Sequence, residues 1–340
     1  MKAIQIKKPN QLNIIETDRP VIDRLNNVLV KMTAAGICGS DIGIYHGTNA
    51  AATYPRIIGH EMIGIVEAAG ADVSRIKTGD RVIVNQINNC GECYPCHHNH
   101  GNVCDHLQVR GVHIDGGYRE YIAVPEKDCY VLPDTLSDEN AIMIEPATIA
   151  IQACSRGELN EEDMLLIMGA GALGSTILQI AKLTCKHIIV ADIVQEKLDE
   201  ALQKGAHYVI NLAADDFESK VKEYTHQRGA TISIDAACTK DSLMLLLQAT
   251  GNAGRVITMG FSTGPVAINQ FLITSKELDV RGSRLQNNKF GEAIELIKAG
   301  KLDLNNSISH IFYYEEAQKA FDFIDSKDPS IRKVAFTFKK

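Results

Sequence analysis

No run of apolar residues in this 340-residue chain approaches the length that crosses a bilayer. The opening MKAIQIKKPNQLNIIE lacks the apolar core of a secretory leader and alternates like a strand. An excess of positive charge is missing as well: 35 Lys and Arg stand against 42 Asp and Glu, for a formal net charge of −7. That balance argues against a polyanion partner, whether nucleic acid or an anionic membrane surface, and leaves a small molecule as the expected partner. The cysteines number nine, and an odd set in a chain without an export signal reads as thiols and metal ligands rather than disulfides. A cytoplasmic protein is expected.

What is present begins with size. A chain of 340 residues, 45% of them hydrophobic, exceeds what one core usually organises, so two domains are expected. Residues 88 to 106, NNCGECYPCHHNHGNVCDH, hold Cys90, Cys93, Cys96 and Cys104 in the pattern C-x2-C-x2-C-x7-C. One loop can wrap four such thiolates around a tetrahedral Zn²⁺, and a shell closed in this way is structural. An iron–sulfur cluster uses the same ligand type, but zinc is the more usual occupant of a single thiolate loop. The histidines of the same stretch, His97, His98, His100 and His106, read as solvated loop residues.

A second ligand set lies upstream. GICGSD supplies Cys38, and YPRIIGHEMIGIV supplies His60 and Glu61 just before a strand-like alternation. One Cys, one His and one carboxylate make a catalytic zinc shell with a position open to water or substrate. Glu145, in the apolar segment MIEPATIA, is a further candidate, and its alternative role is the N-terminal acid of a helix beginning near Pro146.

The character of the chain changes near residue 145. MLLIM reads as a strand, GAGALG as a glycine turn, ALGSTILQIAKL as an amphipathic helix and HIIVAD as a second strand. Gly169, Gly171, Ala172, Leu173 and Gly174 thus form a G-x-G-x-x-G loop in its βαβ setting, which lets backbone approach a pyrophosphate at a helix N-terminus. Asp192 follows at the end of the next strand, placed to accept hydrogen bonds from a ribose 2′-hydroxyl, and no arginine follows it immediately. NAD is therefore favoured over NADP. ISIDAAC, GRVITMGF and ELDVRGSR continue the rhythm, so residues 146–290 read as a doubly wound parallel sheet.

The order GICGSD, GHE, four-cysteine loop, IEP, GAGALG and AD resembles the zinc-dependent medium-chain dehydrogenase/reductase family over essentially the whole chain. GHEMIG with IEPATIA is similar to its polyol and threonine dehydrogenase branch. GVHIDGGYREY, IDAAC, MGF and GSRLQNNKF resemble the sugar-acid 5-dehydrogenase and starvation-sensing dehydrogenase subgroup, with L-gulonate, L-idonate or L-galactonate as substrates. The resemblance implies an α/β chain. A GroES-like, β-rich catalytic domain over 1–145, completed by 291–340, holds both zincs, and a Rossmann domain spans 146–290. It further implies an active site in the cleft between domains and assembly as a homodimer or homotetramer. Cys38, His60 and Glu61 would surround the catalytic zinc, with Glu145 ligating directly or waiting behind it.

The implied reaction is oxidation of a zinc-bound secondary hydroxyl, at C5 of a hexonate, with hydride passing to NAD. Ser40 occupies the position of the first proton-relay hydroxyl. Gly43 replaces a histidine common in relatives, and His46 lies near enough in sequence to substitute. For a substrate carboxylate Arg56 and Arg284 are the guanidinium candidates, with His113 and Asp115 as hydroxyl partners. Arg284 is equally placed to contact the cofactor. A neutral polyol or L-threonine is the alternative substrate, and a non-catalytic zinc- and nucleotide-binding role is the alternative class.

Overall fold

A computed structural model describes residues 1–340 except Ser262, Asn306 and Pro329. In chain order the strands and helices are β1 (Lys2–Lys8), β2 (Gln11–Glu16), β3 (Asn27–Ile37), α1 (Gly39–His46), β4 (Arg56–Ile57), β5 (Glu61–Ala69), β6 (Arg81–Val84), β7 (Ile87–Asn88), α2 (Tyr94–His97), β8 (Gln108–Val109), β9 (Tyr121–Pro125), β10 (Cys129–Val131), α3 (Asp138–Ala141) and α4 (Ile144–Gly157). Then follow β11 (Met164–Met168), α5 (Ala172–Ala181), β12 (His187–Asp192), α6 (Gln195–Gln203), β13 (Tyr208–Asn211), α7 (Phe217–Tyr224), β14 (Ala230–Asp235), α8 (Ser242–Ala249), β15 (Thr250–Thr258), α9 (Gln270–Lys276) and β16 (Asp279–Gly282). The chain closes with α10 (Phe290–Lys298), β17 (His310–Tyr313), α11 (Ala317–Asp325) and β18 (Val334–Thr337).

Two compact units emerge. The first comprises Met1–Glu145, Phe290–Lys298 and Leu304–Lys340, and the second comprises Pro146–Lys289 and Ala299–Asp303.

The first unit is β-rich. Its largest sheet runs β10-β6-β5-β3-β18-β17, with β9 also on β3, and the opening hairpin β1–β2 pairs with β4 in a separate sheet. β3 sits at the centre because ten of its eleven residues are buried, which only a strand covered on both faces sustains. Val28, Val30, Met32, Met62, Val66, Val82, Val84, Ile122 and Val124 form its core on that side. The late strand β18 adds to β3 antiparallel, setting Phe336 opposite Ala35 and Val334 opposite Ile37.

The second unit is a six-stranded parallel sheet in the order β13-β12-β11-β14-β15-β16. The order reverses between β11 and β12 on one side and β14 on the other, the switch point at which such sheets bind ligands. Apolar residues of the strands, Leu166, Met168, Ile189, Ala191 and Val256, pack with Leu246 and Leu247 of α8. Helix α10 ends at Lys298, where the next residues Ala299 and Gly300 leave the helix, Gly300 with φ 66°.

Candidate active site

Cys38, His60 and Glu61 arrive from two neighbouring strands of the first unit. β3 ends at Ile37, so Cys38 becomes the N-cap of α1, while His60 and Glu61 stand at the start of β5. The register Gly36 opposite Glu61 brings the two ends together. Gly36 is required there, because a Cβ would overlap the Glu61 carboxylate. The Cys38 Sγ and one ligand atom each of His60 and Glu61 all lie within 4.8 Å of one another.

Asp41 organises two of these residues. Its Oδ2 accepts the backbone N–H of Cys38 at 2.9 Å, as the N3 acid of a capping box, and its Oδ1 lies 3.5 Å from Nδ1 of His60. Tyr118, wholly buried, braces it: the phenol oxygen is 3.0 Å from Asp41 Oδ2 and 2.7 Å from the carbonyl of Gly36. Burial opposes a charge on His60, but the Asp41 carboxylate and the Cys38 thiol outweigh it and hold the imidazole well above its ordinary pKa.

Each of the two glutamates has a donor of its own. Lys333, immediately before β18, places Nζ 2.5 Å from Glu61 Oε1, a buried ion pair between residues 272 positions apart. Burial works against the lysine's charge, yet Glu61, Cys38 and Glu145 together raise its pKa. Glu145 lies in the first turn of α4, and its Oε1 accepts from Gln86 Nε2 at 2.5 Å. Burial raises Glu145 to about 7; Glu61 adds to that shift, while His60 and Lys333 oppose it.

The donor set fits a metal. Glu61 Oε2 is buried without a hydrogen-bond partner, a costly state that a cation beside it relieves. A thiolate, an imidazole and a carboxylate are what zinc takes in an open shell.

The second cluster is the thiolate loop. The Sγ atoms of Cys90, Cys93, Cys96 and Cys104 also lie within 4.8 Å of one another, gathered by α2 and the turns around it. These four sulfurs supply a complete tetrahedral set. His97, His98, His100 and His106 are exposed, and His98 stacks on Tyr94 at 4.0 Å. Among the described residues no disulfide forms; Cys129, Cys154 and Cys185 are buried and Cys238 is exposed.

In the second unit the glycine loop joins β11 to α5. Gly169 has φ 100°, and a Cβ at Gly174 would overlap the Gly169 carbonyl, so these two glycines serve the turn and the close packing of helix on strand. Gly171, the N-cap of α5, differs: a Cβ there would meet nothing within 4 Å. No protein neighbour demands a glycine at that point, as expected where a ligand's phosphates approach backbone. Ala172 and Leu173 open the helix. Asp192 ends β12, and its carboxylate accepts the N–H groups of Ala170 at 2.6 Å and Val194 at 3.0 Å, tying the glycine loop to the end of the strand.

The remaining candidates fare differently. Ser40 stands half-buried on the first turn of α1, two residues from Cys38. Gly43 gives its carbonyl to the N–H groups of Thr48 and Asn49, closing the end of α1. His46 binds Asn10 at 3.0 Å and Asp325 at 2.9 Å, which makes it a tie between the hairpin and α11 rather than a proton carrier. Arg56 and Asp115 are paired with each other: Arg56 is bound to Asp115 at 2.9 Å and to Thr53 at 2.6 Å, and Asp115 also takes the N–H of Ile57. His113 Nδ1 accepts the N–H of Val109, a local turn contact. Arg284 lies over the ring of the exposed Phe261 at 5.1 Å, in the second unit.

Sequence reasoning missed Asp41, Gln86, Tyr118 and Lys333. Asp41 carried a signal, an acid three residues after an N-cap. Lys333 carried a fainter one, a cation entering the apolar VAF strand. Gln86 and Tyr118 carried none.

Residues 24–134 match the family described as alcohol dehydrogenase GroES-like domain, and residues 172–299 match that described as zinc-binding dehydrogenase. The starvation-sensing protein RspB of Escherichia coli K12 is 40% identical, with 99% of each chain covered. A crystal structure of rspB from E. coli CFT073, complexed with NADH, superposes with a TM-score of 0.93 at 40% identity, over 99% of each chain. Sorbitol dehydrogenase of Bacillus subtilis is 30% identical over 95% of this chain and 93% of its own. The structure of L-idonate 5-dehydrogenase from E. coli K-12 matches with a TM-score of 0.90 at 25% identity, covering 99% of this chain and 98% of that one.

Proposed function

Because the chain belongs to the zinc-binding alcohol dehydrogenase family and is an NAD-dependent oxidoreductase of CH–OH groups, we propose that its substrate is a sugar acid of the L-gulonate, L-idonate or L-galactonate type, oxidised at the C5 hydroxyl in the cytoplasm. The observation that carries the chemistry is the open cluster of Cys38, His60 and Glu61 with Glu145 at its side. The likeness to L-idonate 5-dehydrogenase supports the substrate class.

When bound, zinc supplies the acidity that brings a coordinated hydroxyl toward neutrality, and NAD supplies the hydride acceptor. Cys38, His60 and a glutamate hold the metal, and Asp41 fixes the orientation of the imidazole. Ser40, on α1 beside Cys38, is the first hydroxyl of a relay: it accepts the proton of the substrate hydroxyl as it gives up its own toward solvent. Asp192 receives the adenosine ribose, and the N-terminus of α5 receives the pyrophosphate.

With Arg56 committed to Asp115, Arg284 is the remaining guanidinium candidate for an anion, either the substrate carboxylate or the cofactor phosphates. Sorbitol dehydrogenase among the relatives makes a neutral polyol the second reading. NADH formation by zinc-replete protein against hexonates, matched polyols and L-threonine separates them. Turnover confined to a hexonate is expected, with R284Q raising KM for the hexonate or for NAD according to the anion it contacts. Turnover of polyols alone would sink the sugar-acid assignment.

A further inference from the structure

Gln86 lies in the two-residue link between β6 and β7, wholly buried, and Val84 and Ile87 on either side of that link are buried too. Its amide meets Glu145 at 2.5 Å. The amide nitrogen is the donor in that contact, so the amide oxygen points elsewhere. That oxygen is buried and has no partner. A half-satisfied amide in a protein interior lowers stability, and an apolar side chain of the same length would fill the space without that penalty. Packing therefore does not account for glutamine at this position. Its contact with Glu145 does.

We propose that Gln86 is a positioning residue that fixes Glu145 within reach of the catalytic metal. The inference rests on the zinc reading above and adds to it. Glu61 and its neighbour Glu145 are held by unlike donors: Glu61 by the charge of Lys333, Glu145 by a neutral amide. A neutral donor is the weaker restraint, so Gln86 orients Glu145 without neutralising it.

The test uses the full-length protein loaded with zinc, and in parallel with cobalt at the catalytic site. In Q86M the metal-free protein is expected to fold with a modestly lowered melting temperature, because the buried Glu145 loses a donor. The catalytic zinc is expected to bind about 10- to 100-fold more weakly, the visible cobalt bands to shift, and kcat to fall while KM for NAD holds. Zinc in the thiolate loop serves as the internal control and stays. Q86N, whose amide stops short of Glu145, is expected to show the same metal defect. Wild-type metal affinity and cobalt bands in both variants would overturn the proposal, as would a lowered melting temperature without a metal defect. If the wild-type protein itself binds zinc only at the thiolate loop, the zinc reading fails first, and that result is distinguishable from the others.

Discussion

At the residue scale the ion pair of Lys333 and Glu61 carries the largest stake. Removing one member of a buried pair strands the other charge, at a cost of about 3–5 kcal/mol. K333M is thus expected to lower the melting temperature of the zinc-free protein markedly, and zinc is expected to restore much of the loss, because Glu61 then has a cation beside it. Calorimetry with and without zinc measures both; an equal loss in the two states would mean that Glu61 never reaches the metal. The same pair shows where reading a sequence stops. Cys38, His60 and the four loop cysteines were legible because residue type and local spacing encode metal chemistry. Lys333 meets Glu61 across 272 positions, and nothing local announces it. Arg56 and Asp115 meet in the same way across 59 positions, and nothing local announces that pairing either.

At the scale of elements, the βαβ of the nucleotide loop was legible nearly residue by residue, since the apolar strands and glycines of β11, α5 and β12 carry their instructions locally. The first unit was less so, because its strands are short and meet through long excursions. Helix α3 shows how such a unit is tied. Asp138, in its first turn, accepts from Arg81 Nε of β6 at 2.9 Å and pairs with Lys339 at 2.7 Å. Burial opposes its charge, but Lys339, Thr33 and Arg81 outweigh burial and hold the carboxyl below its ordinary pKa. A carboxyl depressed in the folded state stabilises above its unfolded pKa, about 3.9, and loses that contribution as pH falls through the folded value. D138N is therefore expected to cost about 2 kcal/mol at neutral pH, with the gap from wild type closing below about pH 4. Melting temperatures of both proteins across that range check it, and a gap independent of pH would assign the loss to packing.

At the scale of the whole molecule, β16 ends the six-stranded sheet with its residues mostly exposed. Val280 on it, Phe271 on α9 and Ile268 just before α9 also face outward. An open strand edge among apolar side chains invites a second chain. The proposed homodimer or homotetramer predicts a mass of two or four chains by light scattering, and V280K is expected to shift it downward; a monomeric wild type would refute the assembly. The return of the chain to β3 through β18 has a different consequence. The nucleotide-binding unit has all its residues once Asp303 has been made, whereas the catalytic sheet lacks an inner strand, and Glu61 its cation, until the last tenth of the chain is translated. A ribosome building this protein therefore finishes the later half of the enzyme first, and the metal centre encoded nearest the start is among the last parts to become whole.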